Sequence, residues 1–403
     1  MLRNLRNVSG MEDIMYRKNK MEKGQKMLIM AAAIAAGVLL GAPAAEAASD
    51  VEINNKNFPD QALQEAVKVF DTNADGKLQS DEIAKVETLK LRKFVDADDV
   101  SGDETMPKYQ KSDFKFDFGG IQYLTNLKDL SINLSGGVAE DGKHYDSVIS
   151  NFKQAYRLKK LKSLEFYGAK QKTVDLSKWT KLETADLSIS GLSKFKVSNK
   201  ALQKIRLGKS TSGVKSLDFR NAPKLKTLYL DDLRSTNVYF GKKNKKLRGL
   251  YITSNGKKKI KSMSVKPLKG LKRLTMAQVN ISKMDFSGNK ALEDIYVDDC
   301  SMKTLDLSKS TKLTSVACEG KKTKKVVVPK KNVISTFKWV NAKLSKFSSS
   351  RLNPKTLTSV ILFGNRIDTL NLKRFTKLDY IAVDKDVKVQ LAASVSEDKI
   401  SRD

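Results

Sequence analysis

The chain has 403 residues, more than one compact core of ordinary size needs, and its 40% apolar content excludes a disordered polycation. It is nonetheless strongly basic, with 76 Lys plus Arg against 45 Asp plus Glu and a net charge of +31. Two cysteines, Cys300 and Cys318, and one histidine, His144, exclude a disulfide framework, a zinc or haem centre built on several His or Cys ligands, and histidine-triad chemistry.

From Met21 the chain reads as a secretory leader: a cationic start, an apolar run over Met27 to Leu40, and small residues ending Ala45-Glu46-Ala47, with cleavage expected after Ala47. The run is shorter than the roughly 20 residues that span a bilayer, so no transmembrane segment is expected in the mature chain. Residues 1–20 read as an upstream extension ahead of the real initiator, Met21, so that 1–47 comprises extension and signal peptide. After it the charge divides. Residues 48–118 are net −6 and residues 119–403 net +34, an acidic head on a basic body.

In the head, Asp71, Asn73, Asp75, Lys77, Gln79 and Glu82 stand at positions 1, 3, 5, 7, 9 and 12 of a loop with Gly76 at position 6 and Leu78 at position 8. Calcium is a hard cation that takes six to eight oxygens, and an EF-hand loop supplies them at this spacing, with the Lys77 carbonyl and both oxygens of Glu82 included. Gly76 suits the sharp turn, which needs positive φ. Ala62, Leu63, Ala66, Val67 and Phe70 form a helical stripe before the loop, with Pro59 placed in the first turn. Ile83, Val86 and Leu89 continue at helical spacing after it. A helix-loop-helix cap is therefore expected over 48–91, binding Ca2+. An acidic linker is expected over 92–118, where Asp96, Asp98, Asp99, Asp103 and Glu104 cluster without the loop spacing.

The body repeats. Rows of the form L-x-x-L-x-L-x-x-N-x-L begin at Leu127, Leu161, Leu182, Leu202, Leu225, Leu247, Leu271, Leu292, Leu313, Ile334, Leu357 and Leu378. The first spacing is 34 residues and the rest run from 20 to 24. Second alternations follow the rows, as in Thr304-Leu305-Asp306-Leu307, Lys283-Met284-Asp285-Phe286 and Thr369-Leu370-Asn371-Leu372. The fold class is therefore mostly β: a right-handed leucine-rich-repeat solenoid over 119–391, with coils of about 21–23 residues, two short strands per coil and a tail at 392–403. At the ninth row position, Asn365, Asn255, Cys300, Ser190 and Ser210 are placed to satisfy turn backbone.

With these rows, and with Asn57-Phe58-Pro59-Asp60 through Glu82 set ahead of Gly120-Ile121-x-x-Leu124-x-x-Leu127, the chain resembles secreted bacterial leucine-rich-repeat proteins of the internalin-like group. The resemblance implies a secreted or non-covalently surface-associated protein that binds a protein or glycan ligand. The alternative is an envelope protein held on anionic wall polymer or acidic glycan through its lysines.

One residue per row points from the first strand onto the open sheet face: Ser131, Glu165, Asp186, Arg206, Tyr229, Tyr251, Thr275, Tyr296, Ala317, Lys338, Ile361 and Ala382. Tyr229, Tyr251 and Tyr296, with Asp231 and Asp298 alongside, form the candidate ligand site, because a tyrosine joins a flat apolar ring to a hydroxyl. The candidate polyanion site is the lysine rim: Lys242, Lys243, Lys245 and Lys246; Lys257, Lys258 and Lys259; Lys321, Lys322, Lys324 and Lys325. No aromatic-basic reading motif points to specific nucleic-acid binding. Cys300 and Cys318 read as buried thiols and His144 as exposed. With no paired carboxylates, nucleophile elbow or phosphate loop, the chain is not expected to be an enzyme.

Overall fold

The computed structural model describes residues 50–94, 107–209, 211 and 213–402. The expected extension and leader at 1–47, and the acidic cluster from Asp96 to Glu104, lie outside those residues.

Each of the twelve rows becomes a strand, and these join four others in one 16-stranded sheet. Its pairings are parallel throughout, as a solenoid requires when each coil lays its strand beside the last. Alternate side chains of a strand face opposite ways, so the leucines turn inward together. All twelve row-start residues, from Leu127 to Leu378, are buried in one continuous core. A second series of short parallel pairs runs along the other side of the coils, such as Thr304–Asp306 with Lys325–Val327 and Thr369–Asn371 with Lys388–Gln390. The alternation from Lys283 to Phe286 forms no strand. There the Asp285 side chain accepts from the Ser287 backbone at 2.8 Å and holds a turn.

After the sheet strands the chain turns through left-handed residues, among them Lys209, Asp232, Gln278, Asp299 and Asn341. On the opposite side, buried asparagines stand three residues before a row leucine. Asn199, Asn244 and Asn289 each donate Nδ2 to two carbonyls of the preceding coil, at 2.8–3.1 Å. Among the ninth-position residues, Asn365 behaves as expected: it donates to the Trp339 and Leu362 carbonyls and accepts from the Ala342 and Leu344 amides. Asn255 is exposed and bonds only its own turn, through the Lys257 amide.

The sheet outruns the expected 119–391 at both ends. Thr88–Arg92 pairs with Asp129–Asn133, and Ile400–Arg402 of the expected tail pairs with Tyr380–Val383. Within the expected linker, Lys108–Tyr109 and Lys115–Asp117 pair with Val138–Ala139 and Ser147–Ser150 of the insertion behind the 34-residue spacing. That insertion packs Tyr145 with Phe94, Tyr109, Phe114 and Ala139 in a separate small cluster, and His144 is exposed on it.

The cap holds two short helices, α1 (Gln61–Lys68) and α2 (Ser80–Lys85). Asp60, not Pro59, sets the start of α1, accepting from the Ala62 and Leu63 amides and satisfying two of the helix's free N-terminal donors. The other oxygen of Asp60 takes Lys93 Nζ at 3.3 Å and the Asp117 amide at 3.2 Å, which ties the cap to the first coils. The expected helix through Leu89 stops at Lys85, because Thr88-Leu89-Lys90-Leu91-Arg92 alternates with period two and has a strand partner waiting. Leu63, Ala66 and Val67 of α1 share the solenoid's core, Leu63 and Val67 worth about 2 kcal/mol each on burial and Ala66 about 1. Phe58 seats against Gly120, at φ 95°, where a Cβ would lie 2.2 Å from the ring. No helix of the described residues is long and apolar enough to cross a membrane.

Candidate functional site

Strand pairing places the face residues in one rank in the expected order, from Lys90 and Ser131 through Tyr229 and Tyr251 to Ala382 and Ser401. Acids (Asp129, Glu165, Asp186, Asp231, Asp294, Asp298, Glu319) and bases (Lys90, Arg92, Lys204, Arg206, Arg273, Lys338) share this face almost evenly. It is close to neutral on a chain of net charge +31.

The three tyrosines do not form one cluster. Tyr229 and Tyr251 occupy adjacent rungs and stack, with centroids 4.6 Å apart and planes 10° apart. The Tyr251 ring leans over Gly249, which leaves room because a Cβ there would lie 2.9 Å from Cε2. Lys204 and Arg206 each sit 5.9 Å from the Tyr229 ring centre. Asp231 pairs with Arg206 Nε at 2.7 Å, so this carboxylate positions the cation beside the ring. Burial, then Tyr251, pushes the Tyr229 hydroxyl above its ordinary pKa, and both rings remain half-buried.

Tyr296 lies beyond Thr275 and belongs to another network. Its hydroxyl donates to Glu319 at 3.4 Å, and Lys338 pairs with the same carboxylate at 3.3 Å. Asp298 is half-buried beside them, its carboxyl raised first by burial and then by Glu319 and Asp299. Upstream, the Tyr167 hydroxyl donates to Asp186, whose carboxyl burial raises against the opposing pull of Arg206. Ile361 and Ala382, expected on the open face, are buried there with Val340, packed against the half-buried Phe363 and Tyr380. Apolar side chains gathered on neighbouring rungs cover one another.

In the cap, the loop residues fold around their own backbone. Asp71 accepts from the Asp75 and Gly76 amides at 3.2 and 2.9 Å, Asn73 from Asp75 at 3.1 Å, and Asp75 from Lys77 at 2.9 Å. Gly76 has φ 79°. Gln79 Nε2 donates to Asp75 at 2.6 Å. Glu82 is 3% exposed; it accepts from the Thr72 amide and hydroxyl with one oxygen and from the Gln79 amide with the other. This donor set suits a hard cation in kind, five oxygen-bearing side chains and the Lys77 carbonyl. Among the described residues, though, no three Asp, Glu, His or Cys side chains converge as a metal cluster. The loop strand Lys77–Leu78 pairs antiparallel with Val51–Glu52. This pairing, absent from the sequence reading, gives the single loop a partner strand.

The rim lysines, from Lys242 to Lys325, are exposed and lie off the sheet face in turns and beside the second-side strands. Lys322 and Lys324 donate to the Asp299 and Ala342 carbonyls. Cys300 and Cys318 are free and buried, with thiols pushed by burial to about 12 and about 11.

Coil, core and face together define a leucine-rich-repeat solenoid. No family profile matches the chain, and no curated relative matches it in sequence. Among solved structures it is similar to the functional domain of InlJ from Listeria monocytogenes, at 16% identity over 86% of this chain and 78% of that one, with a TM-score of 0.45. It is also similar to the internalin inlF of Listeria monocytogenes, at 16% identity over 87% and 96%, TM-score 0.44, and to internalin C2 of the same species, at 19% over 70% and 100%, TM-score 0.39.

Proposed function

We propose that this protein is a secreted or cell-surface recognition module that binds a protein or glycan ligand on the open face of its sheet, with a calcium-ordered cap closing the N-terminal end of the core. The observation that carries the reading is the parallel Tyr229–Tyr251 stack, held beside Arg206–Asp231 on a near-neutral face of a strongly basic chain. Stacked rings fixed by neighbouring strands present flat apolar area at little entropic cost, the usual makings of a binding anchor. Tyr296, tied to Glu319, serves as a secondary contact.

The test is binding of the purified protein to a glycan and matrix-protein panel in calcium, at about 0.15 and 0.5 M salt, which separates screened charge attraction from specific contact. A ligand held at the higher salt and weakened at least tenfold by Tyr229→Ala with Tyr251→Ala supports the face as the site. Equal binding by that double variant, with an unchanged melt, removes the face from the function.

A further inference from the structure

Three successive coils pass from the second-side strands back toward the sheet through segments at 328–335, 349–358 and 372–379. Between them lies a cavity of about 340 Å3, lined by Lys330, Lys331, Arg351 and Arg374 with Asn332 and Asn353, and by no Asp or Glu. Its volume is that of a small-ligand site, though it is an open surface groove in which all four cations are exposed. Arg351 donates through Nη1 to the Val328 carbonyl, and Arg374 through Nη2 to the carbonyls of Ser349, Ser350 and Leu352. These partners fix the guanidinium groups without neutralising them, and each five-donor fork keeps N–H groups to spare. Among the described residues none of the four cations has a carboxylate within 4 Å. Asp306 is close enough to feel Arg351, but it is held low chiefly by the Ser308 amide and hydroxyl.

We propose that this cavity binds a linear phosphate polyanion, spreading its phosphates over Arg374, Arg351 and the Lys330–Lys331 pair. Three facts favour that ligand over a monoanion or a single carboxylate. The pocket is multiply cationic, so one negative charge leaves most of it uncompensated. The cations stand on consecutive coils, about 4.8 Å apart per step, longer than one P–O–P repeat, so every second phosphate of a chain meets the next coil. Anchored guanidinium forks are arranged in advance for phosphate oxygens, whereas a lysine ammonium is a point charge that attracts any polyanion with little geometry. The site stands apart from the tyrosine face, and the Tyr229→Ala, Tyr251→Ala variant keeps it.

The experiment is calorimetric titration of the purified protein with tripolyphosphate, inorganic phosphate and citrate at about 0.15 M salt. The expected result is one tripolyphosphate per chain, bound more tightly than the other two. Arg351→Gln, and separately Lys330→Gln with Lys331→Gln, weaken it at least tenfold, while Lys242→Gln, Lys243→Gln, Lys245→Gln and Lys246→Gln together change it less than twofold. The lysine pair is exposed and donates no hydrogen bond, so its replacement leaves the melt unchanged even if an arginine variant unfolds. Several equivalents bound per chain with equal loss in the rim variant, citrate binding as tightly, or no binding at all overturns the proposal. Inorganic phosphate matching tripolyphosphate overturns its polymeric part.

Discussion

Replacing the buried asparagines of the second side with alanine yields graded losses of stability, and the grading follows from their hydrogen bonds. Asn199 makes four: Nδ2 to the Leu176 and Trp179 carbonyls, and Oδ1 from the Ala201 and Leu202 amides. Asn244 makes three, to the Phe219 and Ala222 carbonyls and from the Gly241 amide. Asn289 makes two, to the Val265 and Leu268 carbonyls, and its buried Oδ1 has no partner. Each removed bond costs about 1 kcal/mol, and more where it leaves a buried carbonyl unsatisfied, so Asn199→Ala, Asn244→Ala and Asn289→Ala lose about 4, 3 and 2 kcal/mol. Ala222 occupies the same slot one coil before Asn244, so the coil accepts alanine at this position. Urea unfolding followed by circular dichroism measures the series, with amide exchange at 219–222 reporting whether the damage stays beside Asn244. Equal losses, or a reversed order, refute the assignment of these side chains as coil-to-coil fasteners.

A bound calcium ion at a hundredfold excess over its Kd adds about 2.7 kcal/mol, so chelation or Asp75→Ala is expected to lower the melting temperature by about 4 °C; superimposed melts with and without calcium remove the metal from the cap. Asp186 has a raised carboxyl, so the folded state binds its proton more tightly than the unfolded chain does. Its burden on stability is present at neutral pH and is relieved as pH falls through the raised value toward the ordinary 3.8. Asp186→Asn, which keeps an acceptor for Tyr167, is therefore expected to raise the melting temperature at pH 7 by about 1–2 °C, with the gain shrinking toward pH 4 in scanning fluorimetry. Cys300 and Cys318 should resist thiol reagents at pH 8 until denaturant is added, since burial raises both thiols and blocks access; rapid labelling of the native protein contradicts the packing.

The repeat was legible because a two-residue alternation inside a 21-residue period leaves few registers that bury all the leucines. Every row start from Leu127 to Leu378 is buried, and the face rank follows the expected order. The ends were harder to read. Ile83, Val86 and Leu89 sit at helical spacing, and only pairing with Asp129–Asn133 decides for a strand at 88–92. The asparagine fasteners escaped because their slot also holds Trp179, Ala222 and Leu268, so no residue type repeats there. Their common property is being buried against the previous coil, which composition does not display. For Tyr296, sequence gave its rung but not Glu319 as its partner. The loop residues from Asp71 to Glu82 were visible as a pattern, whereas the turn of Glu82 toward Thr72 is a side-chain choice invisible to spacing.

Because each coil advances the face by one rung, the sheet works as a ruler with a fixed pitch. Five steps separate Tyr251 from Ile361, about 24 Å along the stack. Adding or deleting one coil between them would slide the aromatic pair against the apolar patch of Ile361, Phe363 and Tyr380 by about 4.8 Å while leaving each intact. Coil number thus sets the distance between the aromatic pair and the apolar cluster independently of their chemistry, and a ligand of the face long enough to reach both would be selected by its length.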